Sequence, residues 1–107
     1  MAGRAERIAR NESRFRAVNE RRFGMLRFLP GRGVYVCECA RPDCTERIRL
    51  QSFEYSRIRA DPTQFAVVMG HEDHSVEVVV EHHDSWLLVR KIGDAGEAAR
   101  EAAPDEP

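Results

Sequence analysis

The sequence has no long apolar run. No segment approaches the ~20 consecutive apolar residues that a membrane-spanning helix needs, which excludes a transmembrane helix. The first sixteen residues, MAGRAERIARNESRFR, are charged throughout and lack the apolar core of a secretory signal. We therefore expect a cytoplasmic protein with no membrane partner.

Aromatic residues are also scarce, at 7% of the chain, and only 42% of the residues are hydrophobic. A chain of 107 residues with this composition has room for one modest core, and domains of this size often need an additional staple such as a metal. From Gly93 onward no large apolar residue occurs. We expect a single domain over residues 1–92, followed by a disordered acidic tail over residues 93–107.

Lysine is almost absent, because Lys91 is the only one in the chain. The charge is unevenly distributed along the sequence. Residues 1–36 contain nine arginines and three glutamates, whereas residues 37–107 contain eight Lys and Arg against fifteen Asp and Glu. The N-terminal third is therefore basic and the remainder is acidic.

The order of predicted elements indicates an α+β fold. Residues 4–26 consist mostly of good helix formers without proline and predict an N-terminal helix. Alternating or continuous apolar runs predict strands, Ser52 is a plausible N-cap for a short helix, and the last two strands form a hairpin. The predicted strands cover 34–39, 45–50, 65–69, 76–80 and 86–89, with the short helix over 53–60. We expect a small, mainly antiparallel sheet of about five strands, stabilised by zinc.

Three cysteines form the most informative motif, Cys37-x-Cys39-x4-Cys44. Residues i and i+2 of a strand point to the same face, so Cys37 and Cys39 can approach one ion. The turn at Arg41-Pro42-Asp43 brings Cys44 back toward them. In a cytoplasmic protein, clustered cysteines favour a metal over disulfides. The motif predicts a Zn²⁺ site.

Zinc in a structural site takes four ligands, so a histidine is needed as the fourth. His71 is our choice, because it follows a strand and the flexible Gly70. His74 is the nearest competitor, and His82 and His83 are further alternatives. Without a metal, the cysteines would be ordinary core residues or redox-active thiols.

The sequence gives no sign of an enzyme. It contains no Gly-rich phosphate loop, no Ser-His-Asp spacing and no H-E-x-x-H motif, so neither catalysis nor a small-molecule ligand is expected. The leading hypothesis is a non-enzymatic interaction module whose N-terminal helix docks on a protein partner. The predicted partner-binding residues are Asn11, Glu12, Phe15, Arg16, Val18 and Asn19.

Two alternative functions remain open from the sequence. The arginine-rich helix could contact the phosphates of nucleic acid, although glutamates spaced four residues from arginines also fit a solvated, salt-bridged helix face. A zinc–thiolate centre could serve as a redox sensor that releases its metal on oxidation.

Several motifs together resemble a family of small uncharacterised actinobacterial proteins. The resemblance lies in Asn11-Glu12-x-x-Phe15-Arg16-x-x-Asn19-Glu20, in Cys37-Glu38-Cys39-x4-Cys44, and in Glu54-Tyr55 and Gly70-His71, and it spans roughly residues 5–92. It implies a Cys3His site at Cys37, Cys39, Cys44 and His71, and a second functional surface on the Asn-Glu helix. The sequence departs from the family pattern at Met69, where proline is expected. The resemblance implies a site but no activity.

Overall fold

A computed structural model describes the backbone of residues 4–27 and 31–102, and the side chains from residue 12 onward within those ranges. Within these ranges, three helices and five strands form an α+β fold. The fold class and the five strands agree with the sequence prediction, which included only the first two helices. In chain order they are α1 (Arg4–Leu26), β1 (Arg32–Val36), β2 (Arg47–Gln51), α2 (Ser52–Arg59), β3 (Gln64–Val68), β4 (Glu77–His82), β5 (Trp86–Lys91) and α3 (Gly93–Ala102).

The five strands are all antiparallel and divide into two sheets. β1 pairs with β2 in one sheet, while β5 lies between β3 and β4 in the other. The segment after β1 joins the two, because the Glu38 N–H donates to Ala66 O at 2.8 Å and the Glu38 side chain accepts from Ala66 N–H at 2.9 Å. The cysteine segment therefore lies where the two sheets meet.

The core lies between the sheets and the first two helices. β2 alternates as predicted, with Ile48 and Leu50 buried and the intervening arginines exposed. β5 is buried along nearly its whole length, as expected for the central strand of its sheet. Tyr35 and Tyr55 stack in the core with their ring centroids 4.7 Å apart.

The predicted disordered tail is wrong over its first ten residues. Gly93–Ala102 form α3, which packs against α1 with Ala95, Gly96 and Ala99 buried. Gly96 lets the start of α3 lie close to the end of β5: a Cβ placed on Gly96 would lie 3.0 Å from the Lys91 carbonyl oxygen. The buried face of α3 therefore consists of small residues rather than large apolar ones. Residues 103–107 lie outside the described part of the chain.

Helix α1 folds back on its own protein, and the face it buries is mostly polar. Among the described side chains of α1, the inward stripe contains Glu12, Arg16 and Asn19, all buried, followed by Phe23 and Leu26, which pack against the core. The spacing of four, three, four and three residues is that of one helix face. Part of the predicted partner-binding surface therefore lies inside the protein. No helix in the described ranges is both long enough and apolar enough to cross a membrane.

Candidate metal centre

Four side chains converge where β1 and β3 end. Cys37, Cys39, Cys44 and His71 place their ligand atoms within 4.8 Å of one another. The Nδ1 of His71 lies 3.5 Å from the sulfur of Cys44 and 3.7 Å from that of Cys37. A tetrahedral zinc site with bonds of about 2.0–2.3 Å has ligand–ligand separations of roughly 3.5–3.8 Å. The cluster thus has the dimensions of a metal site, and His71 belongs to it as predicted.

Two turns bring distant parts of the chain to this cluster. Cys44 N–H donates to Arg41 O at 3.1 Å, closing the predicted turn with Pro42 at its second position. His71 N–H donates to Val68 O at 2.9 Å, closing a second turn. Gly70 occupies its third position at φ +93°, a conformation that favours glycine.

Met69 occupies the position at which the sequence resemblance predicts proline. It is the second residue of the Val68–His71 turn, where proline is common because its ring presets φ. The Met69 side chain is 51% exposed, and its N–H donates to Ser85 O at 3.3 Å. This turn therefore holds His71 without proline.

The sulfurs are positioned by each other and by backbone donors. A hydrogen bond between the Cys37 and Cys39 sulfurs lowers the pKa of Cys39 and raises that of Cys37. Burial raises the pKa of Cys44. The Val68 N–H donates to the Cys37 sulfur at 3.2 Å. The lowered pKa of Cys39 favours its thiolate form, and a divalent ion would favour the deprotonated form of the other two cysteines.

The remaining histidines lie elsewhere. The His74 side chain is 74% exposed, 3.7 Å from Glu72, and does not join the cluster. His83 stacks on Trp86 with the centroids 4.0 Å apart, and neither it nor His82 belongs to the cluster. Among the described residues, the Cys3His group is the one set with metal-ligand geometry. The cysteines form no disulfide.

Glu38, between the two buried cysteines, is itself fully buried and ties the site to α1. Its carboxylate accepts hydrogen bonds from Asn19 Nδ2 at 2.9 Å and from the Tyr55 hydroxyl at 2.7 Å. The Asn19 Oδ1 also accepts a hydrogen bond from Val36 N–H at 2.7 Å, and its Nδ2 donates one to Val36 O at 2.8 Å. These contacts hold the end of β1 against the helix.

A second buried polar group lies at the Glu12 end of the inward stripe of α1. Lys91 donates to both Glu12 and Glu77, and all three side chains are 2% exposed or less. Arg16 is also buried; it lies over the Phe65 ring and donates to Pro62 O at 2.6 Å. The sequence analysis missed this group. The only signal was polar residues repeating at helical spacing, which is also the pattern of a solvated face.

The predicted partner-binding residues therefore have different environments. Glu12, Arg16 and Asn19 are buried in contacts within the chain. Phe15 is half-buried and Val18 is 39% exposed. The Asn11 side chain lies outside the described part. Only Phe15 and Val18 remain as described candidates for contact with a partner.

Comparisons with family models, with curated proteins and with solved structures find no match to this chain. The resemblance to small actinobacterial proteins therefore stays a prediction.

Proposed function

We propose that the chain is a small, non-enzymatic module stabilised by one Zn²⁺ ion. The observation that carries this proposal is the convergence of three sulfurs and the His71 Nδ1 within 4.8 Å. Thiolate and imidazole donors in a four-ligand set are those that zinc prefers in structural sites. Three of the four ligand positions were also anticipated from the cysteine spacing alone.

The metal's proposed role is to strengthen the connection between the two sheets, beside the hydrogen bonds that join Glu38 to Ala66. Cys37 and Cys39 follow β1, Cys44 precedes β2, and His71 follows β3. A bound ion would connect the two sheets at one point and fix the turn that carries His71. Because the ion binds the folded arrangement, its binding free energy adds to the stability of the fold.

A structural role for the metal fits better than a catalytic one. Catalytic zinc sites keep one coordination position for water or substrate, whereas four protein ligands close the coordination sphere. Cys37 and Cys39 are buried, so an ion held by them would have little access to solvent. These features support a non-enzymatic module.

Thermal unfolding with and without chelation tests this proposal. Zinc-loaded protein, the same protein with excess chelator, and a Cys39→Ser variant would be compared by circular dichroism. We expect chelator and variant to lower the unfolding midpoint similarly, and chelator to have no further effect on the variant. An unchanged midpoint in the chelated wild type would refute the structural role.

Contact with a protein partner is a second candidate function, but the surface available for it is smaller than the sequence suggested. Val18 and Met25 lie seven residues apart on α1 and are 39% and 70% exposed, so they form one outward apolar stripe. We propose this stripe, with the half-buried Phe15, as the contact surface. A Val18→Glu, Met25→Glu variant should fold normally and lose any partner recovered by wild type from a lysate. Equal recovery by both proteins would remove this candidate.

The other two hypotheses gain little support from the structure. Among the arginines of α1 with described side chains, Arg16 is buried and Arg22 donates to Val34 O, which reduces the basic surface available to nucleic acid. Burial of Cys37 and Cys39 restricts access for an oxidant. Both hypotheses stay predictions.

A further inference from the structure

A cluster of arginines occupies the outer face of the two-stranded sheet. Arg47 and Arg49 alternate with the buried residues of β2 and are exposed. In the strand register, Gln51 is opposite Arg32, so Arg32 lies on the same face. Three guanidinium groups therefore project from one small surface.

The end of the β4–β5 hairpin turns this surface into a cleft. The cleft has a volume of about 470 Å³, and its basic and aromatic lining consists of Arg32, Arg47, Arg49, His82, His83 and Trp86. Sites for small ligands commonly have volumes of about 300–1,000 Å³. The cleft is therefore large enough for a compact ligand.

The three arginines have no partners within the described part of the chain. No ion pair or side-chain hydrogen bond joins Arg32, Arg47 or Arg49 to another described residue. Elsewhere Arg57 pairs with Glu81, and Arg59 with Glu20. Within the described part of the chain, Arg32, Arg47 and Arg49 are therefore available to contact an anion.

Two carboxylates also line the cleft and reduce its charge without cancelling it. Glu54 already accepts a hydrogen bond from Gln51 N–H at 2.8 Å, at the start of α2. Asp84 lies exposed at the tip of the hairpin. Three guanidinium groups against two carboxylates leave a positive balance, in a chain whose net charge is −1.

A flat ring is held rigidly beside the arginines. His83 is parallel to Trp86 within 2°, with the ring centroids 4.0 Å apart. Its Nε2 lies 2.9 Å from Glu81, which is fixed in turn by two hydrogen bonds from Arg57 at 2.7 and 3.1 Å. The half-exposed imidazole offers a stacking surface for a planar group.

We propose that this cleft binds the phosphate groups of a nucleoside diphosphate-sized ligand, with its base against His83. A guanidinium group can donate two hydrogen bonds to two oxygens of one phosphate group. The His83 ring offers a surface on which a planar base can stack. A compact ligand fits better than a nucleic-acid strand, because residues 37–107 have a net charge of −7 and would repel an extended polyanion. This inference does not depend on the proposed zinc ion.

NMR titration of the zinc-loaded protein at low salt tests the proposal, with ADP and inorganic pyrophosphate as probes. We expect saturable shifts of the amides of β2 and residues 82–86 and of the Trp86 indole. The Arg47→Gln, Arg49→Gln variant should bind at least about tenfold more weakly. A His83→Ala variant should weaken ADP binding more than pyrophosphate binding.

An Arg90→Gln variant serves as the matched control, because Arg90 is also an exposed strand arginine but lies outside the cleft. It should bind both probes as wild type does. The absence of saturable shifts, or equal weakening by the control and the Arg47/Arg49 variant, would overturn the proposal. Tighter binding of a thymidine 15-mer, lost in the Arg47/Arg49 variant, would replace the compact ligand with a nucleic-acid strand.

Discussion

Glu12, Glu77 and Lys91 place two carboxyl groups and one ammonium group in the same buried site. Two ionised carboxylates beside one lysine would leave a net negative charge with little solvation. Burial raises the pKa of Glu12 to about 8, although Lys91 acts in the opposite direction. At neutral pH the group is therefore best described as a Glu77–Lys91 ion pair with a protonated Glu12.

This protonation makes stability depend on pH. The pKa of Glu12 rises from 4.5 in the unfolded chain to about 8 in the folded one, so folding takes up a proton between these values. The contribution of Glu12 to the free energy of unfolding is largest below pH 4.5 and decreases as the pH rises toward 8. A Glu12→Gln variant keeps the shape without the titration.

We predict that Glu12→Gln becomes progressively more stable relative to wild type from pH 5 to pH 8, and that the difference levels off above pH 8. Urea unfolding at several pH values measures the difference in free energy of unfolding between the two proteins. The Cys3His cluster is present in both proteins, so most of its own pH dependence cancels in the comparison. A difference that stays constant over this range would show that Glu12 is ionised in the folded protein.

At the level of elements, the sequence predicted the strands better than the faces of the helices. The alternation in β2 and the apolar run of β3 predict strands correctly. In both cases the pattern follows directly from which side chains are buried. In α1 the apolar residues Val18 and Met25 turned out to be exposed, while Glu12 and Asn19 are buried. Their partners come from distant strands, so local spacing could not distinguish a buried polar stripe from a solvated one.

The candidate metal site also combines residues that local sequence could predict with residues that it could not. Cys37 and Cys39 were predictable because strand geometry places them on one face. His71 could be ranked above His74 only from the position of Gly70. The arginine cleft was not predicted, because its walls come from β1, β2 and the β4–β5 hairpin. Only the tertiary arrangement brings them together.

The turn before His71 leads to a prediction about glycine. Gly70 has φ +93°, so a Gly70→Ala substitution should strain the backbone and cost about 1–2 kcal/mol of stability. It should also displace His71 and weaken zinc binding. Gly24→Ala in α1, where a Cβ meets nothing within 4 Å, should be neutral or slightly stabilising. Denaturant unfolding and a zinc competition assay measure both effects; equal stability of the two variants would contradict the assigned turn.

The packing of α3 leads to another prediction. Ala99 is buried at 1% exposure, whereas Ala102 on the same helix is exposed. Ala99→Glu should lower the free energy of unfolding by about 2–3 kcal/mol, because it buries a carboxylate without a partner. Ala102→Glu should change it by less than about 0.5 kcal/mol. Urea unfolding of the two variants measures both changes. An Ala99→Glu variant with an unchanged free energy of unfolding would mean that α3 does not pack on α1.

On the scale of the whole molecule, two small antiparallel sheets share a limited core, and several polar connections join them. Glu38 links β1 to β3, to Tyr55 and to α1, and the Cys3His cluster lies beside it. A metal at this point would connect both sheets directly. The account therefore rests on whether these four side chains hold an ion.

Native mass spectrometry of protein purified without added metal or chelator tests this most directly. It would compare wild type with Cys39→Ser, His71→Ala and His74→Ala. We predict one zinc ion in wild type and in His74→Ala, and none in Cys39→Ser or His71→Ala. Reduced, folded wild type without metal, even after exposure to equimolar zinc, would contradict the account and make the three cysteines ordinary residues of the core.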